Sequence, residues 1–257
     1  MMGPLRWIAH AGLAAGRPGG TPTRHTLAGA GRLNVDLIEV DVCRTADGTL
    51  VLRHDLLLPS RRPLREATLA EVRGEDADVL TLDEAAEVLD TAPMPTLVDL
   101  KDAGDAEAVA AWLSRRPEPD RWAVCSDDPE ALQDLRKAAP SIARWRSLPQ
   151  VAPGRGEGAR RIAACALRGL LPGRLERLAD EVGAAAFSVD RWAVTPSLCA
   201  AAHRLGLPLA AWTCNTPAAA RRMEAAGADL ITTDRIGAMR AALGASQDGA
   251  ATGRCDE

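Results

Sequence analysis

A single (β/α)₈ TIM barrel is the fold class this chain predicts, and three observations predict it. Short β-like runs alternate with Ala-rich helical runs almost to the end of the 257 residues, the pattern of a parallel sheet joined by crossover helices. Nine strand-like runs can be read, one more than such a barrel holds. The surplus has a local cause: Thr45-Ala46-Asp47-Gly48 is too short for a crossover helix, and Asp-Gly is a hairpin signal. The second strand therefore doubles back as a β-hairpin insertion, and eight strands remain for the barrel.

In chain order the predicted strands are Leu5–His10, Leu37–Arg44, Thr49–His54, Thr96–Lys101, Trp122–Ser126, Ala143–Ser147, Ala185–Val189, Pro208–Cys214 and Leu230–Thr233. Helical patterns fall at Leu82–Leu89, Ala106–Leu113, Pro129–Ala138, Pro196–Leu205 and Pro217–Ala226. Asp127 and Thr216 read as N-caps, and Gly206 and Gly227 as C-terminal glycines. A turn near Asp47 returns His54 roughly opposite Glu39. The Gly-rich polar stretch Val151–Ala159 reads as a loop. Residues 1–243 form the barrel domain, and Gly244–Glu257, poor in apolar residues, is expected to be a disordered tail.

Composition narrows the function classes. Apolar residues make up 47% of the chain but aromatics only 3%, with one Phe and no Tyr, so Ala, Val, Leu and Ile must build the core. Net charge is −4 with no basic block, which argues against nucleic-acid binding. No signal-like segment precedes the first strand, and no run of ~18 apolar residues could span a bilayer. A cytoplasmic protein without disulfides is the expectation. None of the six cysteines forms a C-x-x-C pair, so they read as small buried hydrophobes.

The chemistry-bearing residues fall within the first 101 positions. They are His10, Glu39-Val40-Asp41, His54-Asp55 and Asp99-Leu100-Lys101. Active sites of such barrels lie at the C-terminal ends of the strands, where His10, Asp41 and Lys101 stand. Side chains two apart on a strand share a face, so Glu39 points with Asp41 and Asp99 with Lys101. Inward carboxylates on adjacent strands require a cation, and oxygen-only ligation favours Mg²⁺, Mn²⁺ or Ca²⁺ over Zn²⁺. Two imidazoles suit proton transfer and a lysine suits a phosphate. Each element alone is unremarkable: a strand-end histidine, a Glu-x-Asp face or a surface Asp-x-Lys pair is common in structural roles. Their joint, ordered appearance at one end of the first strands points to metal-assisted cleavage of a phosphodiester.

The motifs then acquire a family likeness. His10-Ala11-Gly12, Glu39-Val40-Asp41-Val42, Thr45-Ala46-Asp47-Gly48, His54-Asp55 and Asp99-Leu100-Lys101 follow one another as do the His-Arg-Gly, Glu-x-Asp-Val, Thr-x-Asp-Gly, His-Asp and Glu-x-Lys of one known family. Thr81-Leu82-Asp83-Glu84-Ala85 resembles the helix before its Glu-x-Lys strand. Trp212-Thr213-Cys214-Asn215 and Gly227–Asp234 match its Trp-Thr-Val-Asn and Gly-x-Asp-x-Ile-x-Thr-Asp. Over roughly residues 7 to 240 the chain resembles the glycerophosphodiester phosphodiesterases, a branch of the phosphatidylinositol-phospholipase-C-like barrels.

Three departures stand out. Ala11 replaces the family's phosphate-proximal arginine, Pro22-Thr23-Arg24-His25-Thr26 lacks the acidic residue of Pro-Glu-Asn-Thr, and Asp99 replaces glutamate, as in the venom sphingomyelinase-D-type relatives. Arg17, Arg53 and Arg146 are the candidates to restore the lost positive charge. The resemblance implies a divalent ion on Glu39, Asp41 and Asp99, and His10 and His54 as general acid and base. It also implies Lys101 on the phosphate, and Trp212 and Asn215 on the glycerol or headgroup. The substrate is then a small-molecule phosphodiester or a lysophospholipid. One rival is a phospholipase-D-like or lysophospholipase-D-like enzyme with an apolar mouth of Leu56, Leu57, Leu58 and Trp192. Another is a binding barrel that keeps the metal but not the catalysis. His203, on a helical run, reads as exposed and structural.

Overall fold

The computed structural model describes residues 5–13, 21–148 and 157–251, apart from the side chains of residues 157, 160 and 244–251. Among these residues nine strands form one sheet: β1 (Arg6–Ala9), β2 (Leu37–Arg44), β3 (Leu50–Leu52), β4 (Thr96–Leu100), β5 (Trp122–Ser126), β6 (Ala143–Leu148), β7 (Ala186–Asp190), β8 (Leu209–Trp212) and β9 (Leu230–Thr233). Parallel pairing runs β1-β9-β8-β7-β6-β5-β4-β2, and a β1–β2 pairing closes the circle. β3 is the surplus strand, antiparallel to β2 and outside the barrel wall. The eight-stranded parallel barrel with a hairpin insertion is as the sequence predicts.

Helices surround it: α1 (Arg24–Gly31), α2 (Leu69–Glu75), α3 (Leu82–Leu89), α4 (Ala106–Leu113), α5 (Pro129–Ala138), α6 (Glu157–Leu167), α7 (Leu175–Val182), α8 (Pro196–Arg204), α9 (Pro217–Ala226) and α10 (Ile236–Ala251). Local sequence starts them. Thr23, Thr68 and Thr81 each form a capping box with the residue three positions on, satisfying donors the helix start leaves open. Asp128, not Asp127, caps α5: Pro129 occupies the first helical position, so the cap must be its immediate predecessor. Thr216 caps α9 as expected, and Gly227 ends it at φ +92°, a conformation glycine adopts without steric cost. α10 continues to Ala251, past the Gly244 where the sequence places a tail. Residues 252–257 and the predicted loop at 151–156 lie outside the described residues, while residues 157–159 open α6. No helix of the described residues is long and apolar enough to cross a membrane.

The period-2 alternation divides the core and positions the site. Ile38, Val40, Val42, Val98 and Leu100 face outward against α1, α3 and α4, with Leu82, Leu89 and Leu113 buried between wall and helices. Phe187, Val189 and Leu209 do the same on the far side. Burial of each such side chain is worth ~1.5–3 kcal/mol. The barrel interior is plugged at its lower end by Ile8, Leu37, Leu97, Ala123, Trp145, Ala186, Ala210 and Leu230. Above that plug the same faces turn polar: Glu39, Asp41, Ser147, Ser188, Asp190 and Thr232 are buried. A dry floor therefore sits under a charged mouth.

Candidate active site

Parallel pairing sets the carboxylates level. Asp41 stands beside Asp99 in the β2–β4 register, with Glu39 one interior position lower. One carboxylate oxygen from each of Glu39, Asp41 and Asp99 lies within 4.8 Å of the others. Lys101, one residue beyond β4, returns over them: its Nζ is 2.7 Å from Asp41 Oδ1 and 2.6 Å from Asp99 Oδ2. Lys101 holds Asp41 Oδ1, and the buried Oδ2 has no hydrogen-bond partner among the described residues. Such oxygens are rare in folded proteins and suit ligation of a hard cation. Burial works against the Asp41 anion, but Lys101, His54 and His10 outweigh it and hold its pKa below the ordinary carboxylate value. Glu39 goes the other way: burial, then the charge of Asp41, pushes it up to about 8. Burial pulls on the Lys101 ammonium, yet Asp41, Asp99 and Glu39 keep it firmly protonated.

His10 does not end a strand. It begins a tight turn, His10–Leu13, in which Ala11, Gly12 and Leu13 take φ values of 45°, 54° and 58°. Three consecutive left-handed residues, two of them not glycine, carry backbone strain of the kind that gathers at functional sites. The turn aims the Ala11 N–H at Glu39 Oε2, 2.7 Å away. A side chain at Gly12 would collide with Leu27. His10 Nδ1 lies 2.7 Å from Asp234 Oδ1. Burial lowers the imidazole's pKa, but the Asp234 bond and the charges of Glu39, Asp41 and Asp234 win and raise it to about 9.

His54 is placed differently from the sequence expectation. Val42 pairs with Leu52, and the Arg53 amide donates to the Asp41 carbonyl, so the register carries His54 opposite Val40 rather than Glu39. β3 ends at Leu52, and His54 lies in the loop after it with its side chain 48% exposed and Nδ1 2.9 Å from Asp55 Oδ1. It still reaches the field of Asp41.

The two described arginine candidates are tied down away from the carboxylate cluster. Arg53, 3% exposed, is pinned by Asp76 at 2.7 Å and by the carbonyls of Asp55 and Leu57. Arg146 shares the outward parity of Leu148 and donates to the carbonyls of Ser126 and Asp127. Arg17 lies outside the described residues. His25 is exposed on α1, and His203 is exposed with Nε2 2.9 Å from Asp229. Leu58 is buried, so only Leu56 and Leu57 of the predicted apolar lip are exposed. The five described cysteines are free, and four of them are buried.

Across the mouth, the ends of β7, β8 and β9 enclose a cavity of about 430 Å³ lined by Asp190, Arg191, Trp192, Trp212, Asn215 and Asp234 among others. Asn215 faces this cavity but its amide is engaged: the nitrogen donates to Asp234 Oδ2 at 2.5 Å, and the oxygen accepts from Thr233 Oγ1 and the Asp234 amide at 2.9 Å. Asp234, the last residue of the Gly227–Asp234 motif, joins the site without being singled out by its sequence. The available signal was an Asp closing the last strand, level with His10 on the strand β9 pairs with.

Carboxylates grouped for a cation, with a fixed lysine and proton carriers at their edge, define a class of barrel enzymes that act on phosphate esters. The glycerophosphoryl diester phosphodiesterase family profile matches residues 10–238, and the chain belongs to that family of phosphoric diester hydrolases. Solved structures agree in fold. The Thermotoga maritima glycerophosphodiester phosphodiesterase is 19% identical with a TM-score of 0.71, over 96% of this chain and 100% of that one. An Oleispira antarctica phosphodiesterase in complex with the product sn-glycerol-3-phosphate is 22% identical, TM-score 0.70, over 93% and 96%. A candidate glycerophosphoryl diester phosphodiesterase from Silicibacter pomeroyi is 26% identical, TM-score 0.73, over 95% and 94%. No curated protein matches the chain. Divalent-metal dependence is general in the family, and the acidic cluster offers the donor set it needs.

Proposed function

We propose that this chain hydrolyses glycerophosphodiesters to glycerol phosphate and an alcohol, with Glu39, Asp41 and Asp99 holding Mg²⁺, Ca²⁺ or Mn²⁺ and with His10 and His54 moving the protons. The observation that carries the reading is the His10–Asp234 pair beside the carboxylate cluster. An ion bound there supplies positive charge to a phosphate oxygen. Lys101, held between Asp41 and Asp99, adds a second fixed positive charge for the transition state. Asp234 holds His10 protonated, and Asn215 in turn orients Asp234, so His10 is suited to donate a proton to the leaving alcohol. His54, half exposed and beside Asp55, is suited to take the proton from water or from a neighbouring substrate hydroxyl. Asn215 then acts through Asp234 rather than on the substrate, and Trp212 packs against the bound ester.

The two histidine roles separate by leaving group. With glycerophosphoglycerol, His10→Ala is expected to lower kcat by roughly 10²–10⁴-fold. With a p-nitrophenyl phosphodiester, whose leaving group needs no proton, the same variant should lose far less. His54→Ala should be impaired on both, and EDTA should silence the wild type. Wild-type turnover in both variants would rule the mechanism out. Leu56 and Leu57, exposed directly after His54, favour one further reading, a lysophospholipid substrate. A lysolipid cleaved faster than glycerophosphoglycerol under the same conditions would select it.

A further inference from the structure

The loop that carries His54 is held from beneath by the residue before it. Arg53 is buried, whereas His54, Asp55, Leu56 and Leu57 are exposed. Its side chain folds back under that run: Nε donates to the Asp55 carbonyl at 3.0 Å and Nη2 to the Leu57 carbonyl at 3.3 Å. Nη1 donates to Asp76 Oδ2 at 2.7 Å. The backbone of the same residue faces the carboxylate strand. Its amide donates to the Asp41 carbonyl at 3.0 Å, and its carbonyl accepts from Cys43 Sγ at 3.0 Å. Arg53 therefore fastens to β2 on one side and to the His54 loop on the other.

The anchor also reaches toward the other histidine. Thr21 Oγ1 donates to the same Asp76 oxygen at 2.9 Å. Thr21 precedes Pro22, and a side-chain carbon at Gly12 would lie 3.2 Å from Pro22 Cβ, so this segment backs the turn that begins at His10. Among the described residues the His54 ring bonds Asp55, itself an exposed side chain. Two exposed side chains bonded to each other take their position from the backbone they stand on, and Arg53 holds that backbone. A guanidinium can spread planar donors over a carboxylate and two carbonyls at once; a lysine ammonium on its flexible stem cannot hold all three in one geometry.

We propose that Arg53, braced by Asp76 and Thr21, is a positioning residue that sets the His54 loop against Asp41 for the reaction. This rests on the phosphodiesterase reading above for the role of His54. The test is Arg53→Lys, made in the wild type and in His54→Ala; it keeps a positive charge against Asp76 but not the spread of donors. Amide exchange by NMR, melting temperature, and kcat and KM on glycerophosphoglycerol with Mg²⁺ are to be measured. The Leu58 amide, which shares a peptide group with the Leu57 carbonyl and donates to the Arg62 carbonyl, should exchange faster. The Lys101 amide, bonded to the Val42 carbonyl in the barrel wall, should not change. In the wild-type background kcat should fall by roughly 10–100-fold with KM nearly constant, the scale for a displaced reacting group. In His54→Ala the same substitution should cost less than about twofold, because the group it positions is gone. If Arg53→Lys does not fold, the double variant Arg53→Gln, Asp76→Asn leaves no unpaired buried charge and is read in the same way. Unchanged exchange at Leu58, or an equal loss of kcat in both backgrounds, overturns the positioning role. Faster exchange at Leu58 in an enzyme whose wild type cleaves no ester leaves Arg53 as the anchor of the loop and overturns the phosphodiesterase reading instead.

Discussion

On the β1–β4 arc of the barrel mouth, His10, His54 and Lys101 each have a carboxylate within 2.6–2.9 Å. On the β7–β9 arc, Arg161, Arg191 and Arg222 stand around Trp192 beside a cavity lined by Asp190 and Asp234. The first arc is electrostatically closed before any substrate arrives, so its geometry is fixed by its own charges and suits chemistry. The second surrounds an open cavity and suits recognition. Asp234 joins them, with His10 on one side and the cavity on the other. On the proposed reading, rate and specificity are held by different strands of one barrel, and a change on one arc that alters the property assigned to the other breaks that division.

The largest expected effect tests that separation directly. Asp41→Asn keeps the side chain's size but removes a buried anion from the cluster and a partner from Lys101. It should lower kcat/KM on every ester by on the order of 10²–10³-fold, as for loss of one transition-state contact. Metal binding by calorimetry should fall with it, while the ratio of kcat/KM between two esters that differ only in the leaving alcohol stays as in the wild type. A changed ratio would mean that the arcs are not separable.

The contrast also explains what was legible in the sequence. Glu39, Asp41, Asp99 and Lys101 lie on adjacent parallel strands, so a period of two and a shared strand end suffice to bring them together. The hairpin was legible because four residues cannot hold a crossover, yet its register was not, and His54 moved one position from its expected partner. Asp234 pairs with His10 across 224 residues, a closure that only the β1–β9 pairing creates. The arginines on Trp192 come from α6, α9 and the β7–α8 loop, and nothing in any one segment announces their meeting. Some of the missed structure did have a signal: Leu175, Leu178, Ala179 and Val182 carry the helical spacing of α7, and Thr68-x-x-Glu71 is a capping box. Arg53 and Arg146 misled because a strand-end arginine reads alike whether it faces a ligand or ties down loop carbonyls.

A smaller effect is expected at the joint. Asp234→Asn keeps a group within reach of His10 Nδ1 but removes the charge that holds the imidazole protonated. kcat should fall by about 10–100-fold, the range for a partner that orients a reacting group. The alkaline limb of the kcat profile should move to lower pH, because the hydrogen bond and the charge that raise His10 are both weakened. A profile superimposable on the wild type would confine Asp234 to the cavity wall and detach the two arcs.

The smallest effect concerns stability and needs no substrate. In metal-free protein, Glu39 titrates near 8 against 4.5 and His10 near 9 against 6.5. Both folded values are raised, so the folded state binds more protons than the unfolded chain across the intervening pH. The stabilisation from His10 is fully present below 6.5 and is lost as pH rises through 9. That from protonated Glu39 is lost from 4.5 upward through 8. Asp41, held below 3.8, and Lys101, held above 10.5, titrate outside this window. With EDTA present, Tm should therefore fall steadily from pH 6.5 to 9. A divalent ion needs Glu39 ionised, so it should bind more tightly and raise Tm more at pH 9 than at pH 6.5. Equal metal-induced shifts at the two pH values would mean that Glu39 is already ionised without metal, and that the first arc is balanced by Lys101 and His10 alone.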